Sequence, residues 1–176
     1  MTVRRLTPED AAAFKAIRLE ALEGYPGAFT QSYAEAERDE VAIYANRLGA
    51  GPDAVFGAFV EGELIGTAAF SVRKGEKIAH KGLLWAVYVR PGTRSRGLGR
   101  ALVSQVLEHA KPHVLMLQAT VVSDNPVAQA LYASLGFETY GVEASSLFVE
   151  GRLIDDIHIV HWLGHTPDAW PLAAAE

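Results

Sequence analysis

The sequence predicts a single α/β (α+β) domain, a mixed and mostly antiparallel seven-stranded sheet with helices on both faces. Its 176 residues and 49% hydrophobic content suit one core of ordinary size. Three apolar runs at 54–60, 64–72 and 83–89 are separated only by turn residues, which marks an antiparallel meander. After the third of these runs come a helix from Leu98 and a strand at 114–122, an order that suggests a parallel crossover.

The elements follow in order. Residues 3–6 form a short strand, and Thr7-Pro8-Glu9-Asp10 supplies a cap, a first-turn proline and acidic residues suited to a helix N-terminus. Phe14, Ile17, Arg18, Ala21 and Leu22 recur on one stripe of the helix that ends near Gly24. A turn-rich segment at 25–29 precedes a second helix at 32–48. Beyond the meander, Leu98, Ala101, Leu102, Val106 and Ala110 share a helical stripe that Pro112 stops. Asn125-Pro126 opens the last helix as cap and first position, and Gly136 stands where a left-handed C-terminal residue belongs. Strands at 145–149 and 153–162 flank Glu150-Gly151-Arg152, a hairpin signal. The domain is expected to span 1–164, with 165–176 a loosely held tail.

Composition narrows the function. The 16 Lys and Arg against 21 Asp and Glu give a net charge of −5, the wrong balance for nucleic acid. The absence of cysteine removes thiolate metal sites and an acyl-cysteine intermediate, and favours an intracellular protein. The N-terminal residues carry no apolar core of a signal peptide, and the run 83–89 is too short for a bilayer. A cytoplasmic protein with no membrane partner is expected.

The chemistry concentrates between Val89 and Arg100. Gly92, Gly97 and Gly99 with Arg90, Arg94 and Arg96 let backbone N–H groups converge on an anion that the arginines neutralise. A Walker loop fails because Leu98-Gly99 stands where Lys and Ser or Thr must grip phosphate and magnesium. A dinucleotide fingerprint fails because its third glycine would fall at Leu102, and the loop follows the fourth strand instead of the first. Arg94, Gly97 and Gly99 do fill R-x-x-G-x-G after Val87-Tyr88-Val89-Arg90-Pro91. Downstream, Asn125, Ala128, Leu131 and Tyr132 fill N-x-x-A-x-x-L-Y before Gly136-Phe137.

Together, in this order and separated by a helix and a strand, the two segments resemble those of the GNAT superfamily of N-acetyltransferases. The resemblance extends weakly to Arg18, Ala21-Leu22, Pro26 and Phe29, and covers roughly residues 1–163 as a pattern. It implies acetyl-CoA as co-substrate. Amides of Ser95, Arg96, Gly97, Leu98, Gly99 and Arg100, with Arg94, would receive the pyrophosphate, and Val87 and Val89 would offer main-chain bonds to the pantetheine arm. Tyr132 would be the general acid for the departing thiolate, and Asn125 either a pantetheine contact or simply a helix cap. A main-chain N–H near Val89, where that strand splays from its neighbour, would polarise the thioester carbonyl.

The implied reaction is direct acetyl transfer to a primary amine of a small molecule or peptide in a ternary complex. The alternative is a non-catalytic acyl-CoA-binding or regulatory module. The acceptor pocket is expected to draw on Phe29, Tyr33, Trp85 and the hairpin from Ser146 to Asp156. His80, Glu35, Glu37, Asp155, Asp156 and His158 all remain open as the base, because water can relay a proton. His158 and His161 face opposite sides of a strand, so no metal site is expected. Monomer and homodimer are both compatible with this reading.

Overall fold

The computed structural model describes residues 2–49, 51–93 and 97–164. Its strands are β1 (Thr2–Arg5), β2 (Ala54–Val60), β3 (Glu63–Val72), β4 (Lys81–Val89), β5 (Met116–Val122), β6 (Glu138–Val149) and β7 (Arg152–Trp162). They form one seven-stranded sheet in the order β1-β2-β3-β4-β5-β7-β6. Every neighbouring pair is antiparallel except β4 with β5. This is the mixed sheet expected, and the helix α4 (Leu98–Ala110) makes the parallel crossover.

Alternation along the strands builds two cores, one per face. Ala54, Phe56 and Ala58 of β2 pack with Leu102, Val103 and Val106 of α4 and Tyr132 of α5 (Pro126–Ser134). Val55 faces the other way, onto Phe14 and Ile17 of α1 (Ala11–Gly24) and Tyr44 of α3 (Val41–Arg47). Two hairpins turn through Glu61-Gly62 and Glu150-Gly151, whose φ values of 53°, 85°, 50° and 78° all lie in the left-handed region. Such two-residue turns match the right-handed twist of the strands they join.

The expected helix at 32–48 is two helices, α2 (Tyr33–Arg38) and α3, broken where Asp39 and Glu40 turn extended at ψ of 125° and 153°. Lys15 explains the break, since its Nζ donates to the carbonyls of Glu37 and Asp39 at 3.0 and 2.6 Å and draws them away from a continuing helix. The first helix likewise starts as a 3-10 turn at Pro8–Asp10 before α1 proper. Strand β6 begins at Glu138 instead of 145, because most of residues 138–144 are exposed and show no apolar alternation to reveal an edge strand. The expected tail at 165–176 lies outside the described residues. Among the described residues no helix is long and apolar enough to cross a membrane.

The start of the chain is fastened by Asp10. Arg4 donates to both of its oxygens at 2.7 and 2.8 Å, and the Thr7 amide adds a bond of 2.8 Å. The guanidinium beside it holds the Asp10 carboxyl down at about 2. A carboxyl depressed on folding stabilises the protein above its unfolded value near 4, and that contribution is lost as pH falls through the folded value. Asp10→Asn should therefore cost about 1–2 kcal/mol at pH 7, discounted for the exposure of Arg4. Urea denaturation should show the gap to wild type closing between about pH 4 and 2; a gap constant across that range would contradict the assignment.

Candidate active site

The sheet opens at β4 and β5, the one parallel pair among the described residues. Strands β4 and β5 are joined at Lys81, Gly82 and Leu83 opposite Met116, Leu117 and Gln118, and the ladder ends there. On its other side β5 stays paired with β7 from Met116 to Val122, so the divergence belongs to β4. Its cause is a bulge: Ala69 pairs with Trp85 and Thr67 with Tyr88, leaving Ala86 and Val87 opposite Ala68 alone. Ala86 adopts φ of 50° inside a strand, a conformation that costs an alanine about 1 kcal/mol. The buried Thr67 hydroxyl holds it by donating to the Ala86 carbonyl at 2.9 Å.

Both following helices start at this open end, since α4 follows β4 and α5 follows β5. Crevices beyond the carboxyl ends of diverging strands are natural ligand sites. Gly97 caps α4 at φ of 71°, and the first helical bond runs from Ala101 N–H to the Gly97 carbonyl. The amides of Leu98, Gly99 and Arg100 thus precede the helical ladder and offer donors to an anion. A Cβ on Gly99 would stand 3.2 Å from Leu131 Cδ2, so this glycine lets α4 approach α5 closely. Arg94, Ser95 and Arg96 lie outside the described residues.

On the α5 side, Asn125 Oδ1 accepts from the Ala128 amide at 3.1 Å, the cap its position predicted. Tyr132 is buried, with its ring edge-on to Phe137 at 5.5 Å. Burial pushes its phenol well above the ordinary range, and its hydroxyl has no partner among the described residues. Beside it a cavity of about 330 Å³ separates α5 from the sheet, walled by Val121, Gln129, Thr139 and Ile157.

Residues 15–137 match the model of the acetyltransferase (GNAT) family. The chain belongs to that family. It is 34% identical over 144 residues to a mycothiol acetyltransferase of Streptomyces scabiei, covering 80% of this chain and 44% of that protein. It is 35% identical over 95 residues to the N-alpha-acetyltransferase RimI of Mycobacterium tuberculosis, covering 54% and 58%. The chain thus spans less than half the length of the mycothiol acetyltransferases it matches over most of its own length. Among solved structures, the yncA protein of Salmonella typhimurium, determined with its cofactor acetyl-CoA, superposes with a TM-score of 0.84 at 26% identity, covering 98% of each chain.

On this GNAT frame the bulge turns Val87 and Val89 toward the α4 core. Leu98 sends its side chain into that core, leaving only its amide toward the loop. Arg100 reaches α5 instead, donating to Ser134 Oγ at 2.7 Å. Of the expected acceptor residues, Trp85 sits one position before Ala86 against Phe14, with its Nε1 buried and without a hydrogen-bond partner among the described residues. Phe29 lies under the Arg18 guanidinium, 4.6 Å from Cζ to the ring centre. Tyr33 stands apart on the exposed side of α2, its hydroxyl 3.3 Å from Glu37 Oε1.

The six candidate bases divide by position. His80 accepts from the Leu115 amide through its carbonyl, at the closed end of the splay. Glu35 caps α2 through Ser32, Glu37 meets Tyr33, and Asp155 accepts from the Ser145 amide at 2.8 Å. Asp156 and His158 instead share the β7 face that carries Ile154, against which Gly27 packs in the connection between α1 and α2. Asp156 accepts from Ser146 Oγ at 2.8 Å, and His158 Nε2 lies 3.2 Å from Glu143. His161 faces the opposite side, edge-on to Phe137. Among the described residues no three His, Asp or Glu gather to hold a metal.

Sequence reasoning missed the bulge, which carries no residue signature, and the clamp that anchors β4 beyond it. Arg90 grips Glu20 of α1 through paired bonds of 2.9 and 2.7 Å, and Tyr88 donates to the same carboxylate at 2.9 Å. The guanidinium holds the Glu20 carboxyl below its usual range.

Gly97 provides the sharpest test of the α4 loop, because a side chain there meets open space and only φ is affected. Gly97→Ala should cost about 1 kcal/mol of stability and, by shifting the loop to relieve that strain, weaken acetyl-CoA about tenfold by calorimetry. Unchanged affinity with the expected loss of stability would remove the loop from the binding site.

Proposed function

We propose that the chain is an N-acetyltransferase that moves the acetyl group of acetyl-CoA to a primary amine by direct attack in a ternary complex. The opening between β4 and β5, with the N-termini of α4 and α5 at its mouth, is the observation that carries this reading. The pyrophosphate rests on the amides at 97–100, with Arg94, Ser95 and Arg96 completing the loop. The pantetheine arm follows β4 past Val89 and Val87, and Asn125 keeps its role as helix cap. The names of the relatives, a mycothiol acetyltransferase and an N-alpha-acetyltransferase, support acetyl transfer onto different acceptors.

The neutral amine attacks the thioester carbonyl carbon and forms the C–N bond. Charge passes to the carbonyl oxygen, which the Val87 main-chain N–H of the bulge receives. The C–S bond then breaks, the carbonyl re-forms, and the sulfur leaves as a thiolate that takes the Tyr132 phenol proton. Burial that raises the phenol also raises the basicity of a thiolate formed beside it, so the transfer stays matched. The surplus proton of the amine leaves through water to the β7 face, where Asp156 and His158 stand. Solvent returns a proton to Tyr132, leaving the amide and coenzyme A. The absence of cysteine supports one direct step over an acyl-cysteine relay.

Tyr132→Phe removes one proton and little volume. It should lower kcat by about 10²-fold or more while acetyl-CoA affinity stays within about twofold. Thiol release at saturating substrates checks the first and calorimetry the second. Unchanged kcat, with chemistry limiting, would exclude Tyr132 as the acid. Because the phenol is raised on folding, it stays protonated below that raised value, and kcat should not fall between about pH 8 and 10 through loss of this proton.

A further inference from the structure

Arg18 is the unsettled charge of this molecule. It projects from α1 into the connection between α1 and α2, where one face of its guanidinium lies on Phe29 at 4.6 Å. Its Nε and Nη2 share a single neutral acceptor, Gln31 Oε1, at the long distance of 3.4 Å each. Among the described residues no carboxylate lies within ion-pair distance, in contrast to Arg4, Arg47, Arg90 and Arg152. The nearest carboxylate on the Gln31 side of Arg18, Asp39, is reached only through the Gln31 amide at 3.5 Å. Burial lowers the guanidinium to about 10, Tyr44 opposing that shift and the neighbouring cation Arg47 adding to it. It is therefore still charged at neutral pH, half-desolvated, and has no anion. Such an arrangement costs stability and persists where a ligand completes it.

Its position sets which ligand. Phe14 meets Trp85, while Glu20 meets Tyr88 and Arg90, so α1 runs alongside β4. Arg18 falls between those two contacts, level with the bulge at Ala86-Val87. The connection it supports, residues 26–28, packs across onto β5 and β6. Arg18 thus stands at the front of the opening, on the face opposite α4 and α5, where an acceptor must enter. With one guanidinium face stacked on Phe29 and Nε and Nη2 held loosely by Gln31, Nη1 has no hydrogen-bond partner among the described residues and Nη2 keeps a second N–H, so a planar fork remains for a further acceptor. That fork matches a carboxylate with two parallel N–H···O bonds.

We propose that the acceptor amine carries a carboxylate, which Arg18 receives on the Phe29–Gln31 side of the cleft. The proposal rests on the acetyl-transfer reading and names its substrate class. Arg18 is then a specificity residue, distant from the protons in motion.

The test compares the proteinogenic L-amino acids with their carboxamides by thiol release at pH 8, with acetyl-CoA saturating. The carboxamide amine is less basic, so more of it is neutral and intrinsic reactivity favours the amide. A preference of about tenfold or more for the acid in kcat/KM would run against that reactivity, and is the expected result. Arg18→Lys and Arg18→Gln should reduce the ratio below about threefold, with acetyl-CoA affinity by calorimetry reporting that each variant is folded. Peptides with an acidic N-terminal residue form a second arm; a preference for them over free amino acids assigns the carboxylate to a peptide side chain. Turnover of amines without any preference for the acid, or a preference that survives both variants, overturns the inference and leaves acetyl transfer intact. If coenzyme binds but no amine turns over, calorimetry of the acids against coenzyme A-saturated protein decides it, and binding no tighter than the carboxamides overturns it. Failure to bind acetyl-CoA at all overturns the parent reading.

Discussion

The structure depends on one local irregularity, the extra residue in β4. A parallel pair that ran its full length would close the sheet between β4 and β5. Here the ladder stops at Leu83 because Ala86 turns to a positive φ and Val87 is inserted opposite Ala68. The conformational cost, on the order of 1 kcal/mol, is small against the burial of Leu84, Ala86 and Tyr88 on either side. Thr67 below and the Arg90–Glu20–Tyr88 clamp above hold the strand against sliding back into register. The bulge is thus determined by packing on both faces, which allows an alanine to occupy it.

In the proposed reaction that opening separates a donor side from an acceptor side. On one face the N-termini of α4 and α5 converge; the amides of Leu98, Gly99 and Arg100 precede the α4 ladder and suit a phosphate-bearing chain, whereas α5 opens on Pro126 with its Ala128 amide capped by Asn125. On the other, α1 and its connection to α2 bring Arg18, Phe29 and Trp85 to the same level, while β7 contributes Asp156 and His158. Ala86, Trp85 Nε1 and the Arg18 guanidinium lie around that opening, while the other non-glycine residues with positive φ among the described residues, Glu61, Ser145 and Glu150, sit in hairpin turns and in the irregular part of β6.

What could be read from the chain is what local chemistry specifies. The stripe Phe14, Ile17, Ala21, the cap Asn125, the left-handed Gly136 and the turns at Gly62 and Gly151 each express a rule that spans a few residues. The two motif segments, read by the same local rules, fall at the start of α4 and on α5, where Gly97 and Tyr132 stand. The bulge was invisible because it arises from register between strands, and alanine advertises nothing about a positive φ. The break at Asp39 was hidden because its cause, Lys15, stands far away in sequence. Arg18 could be assigned to the α1 stripe, but its lack of a carboxylate is a fact about neighbours from three other segments. Sorting the six bases into distant and near likewise needed the face of β7, which only the paired strands define.

If the bulge and the start of α4 form one binding surface for the coenzyme, amide hydrogen exchange with and without acetyl-CoA registers it residue by residue. New protection is expected at Val87 and at the amides of 97–100, with little change at Lys81–Leu83 where the strands are already paired. Protection confined to other parts of the sheet, or none at saturating acetyl-CoA, would contradict it.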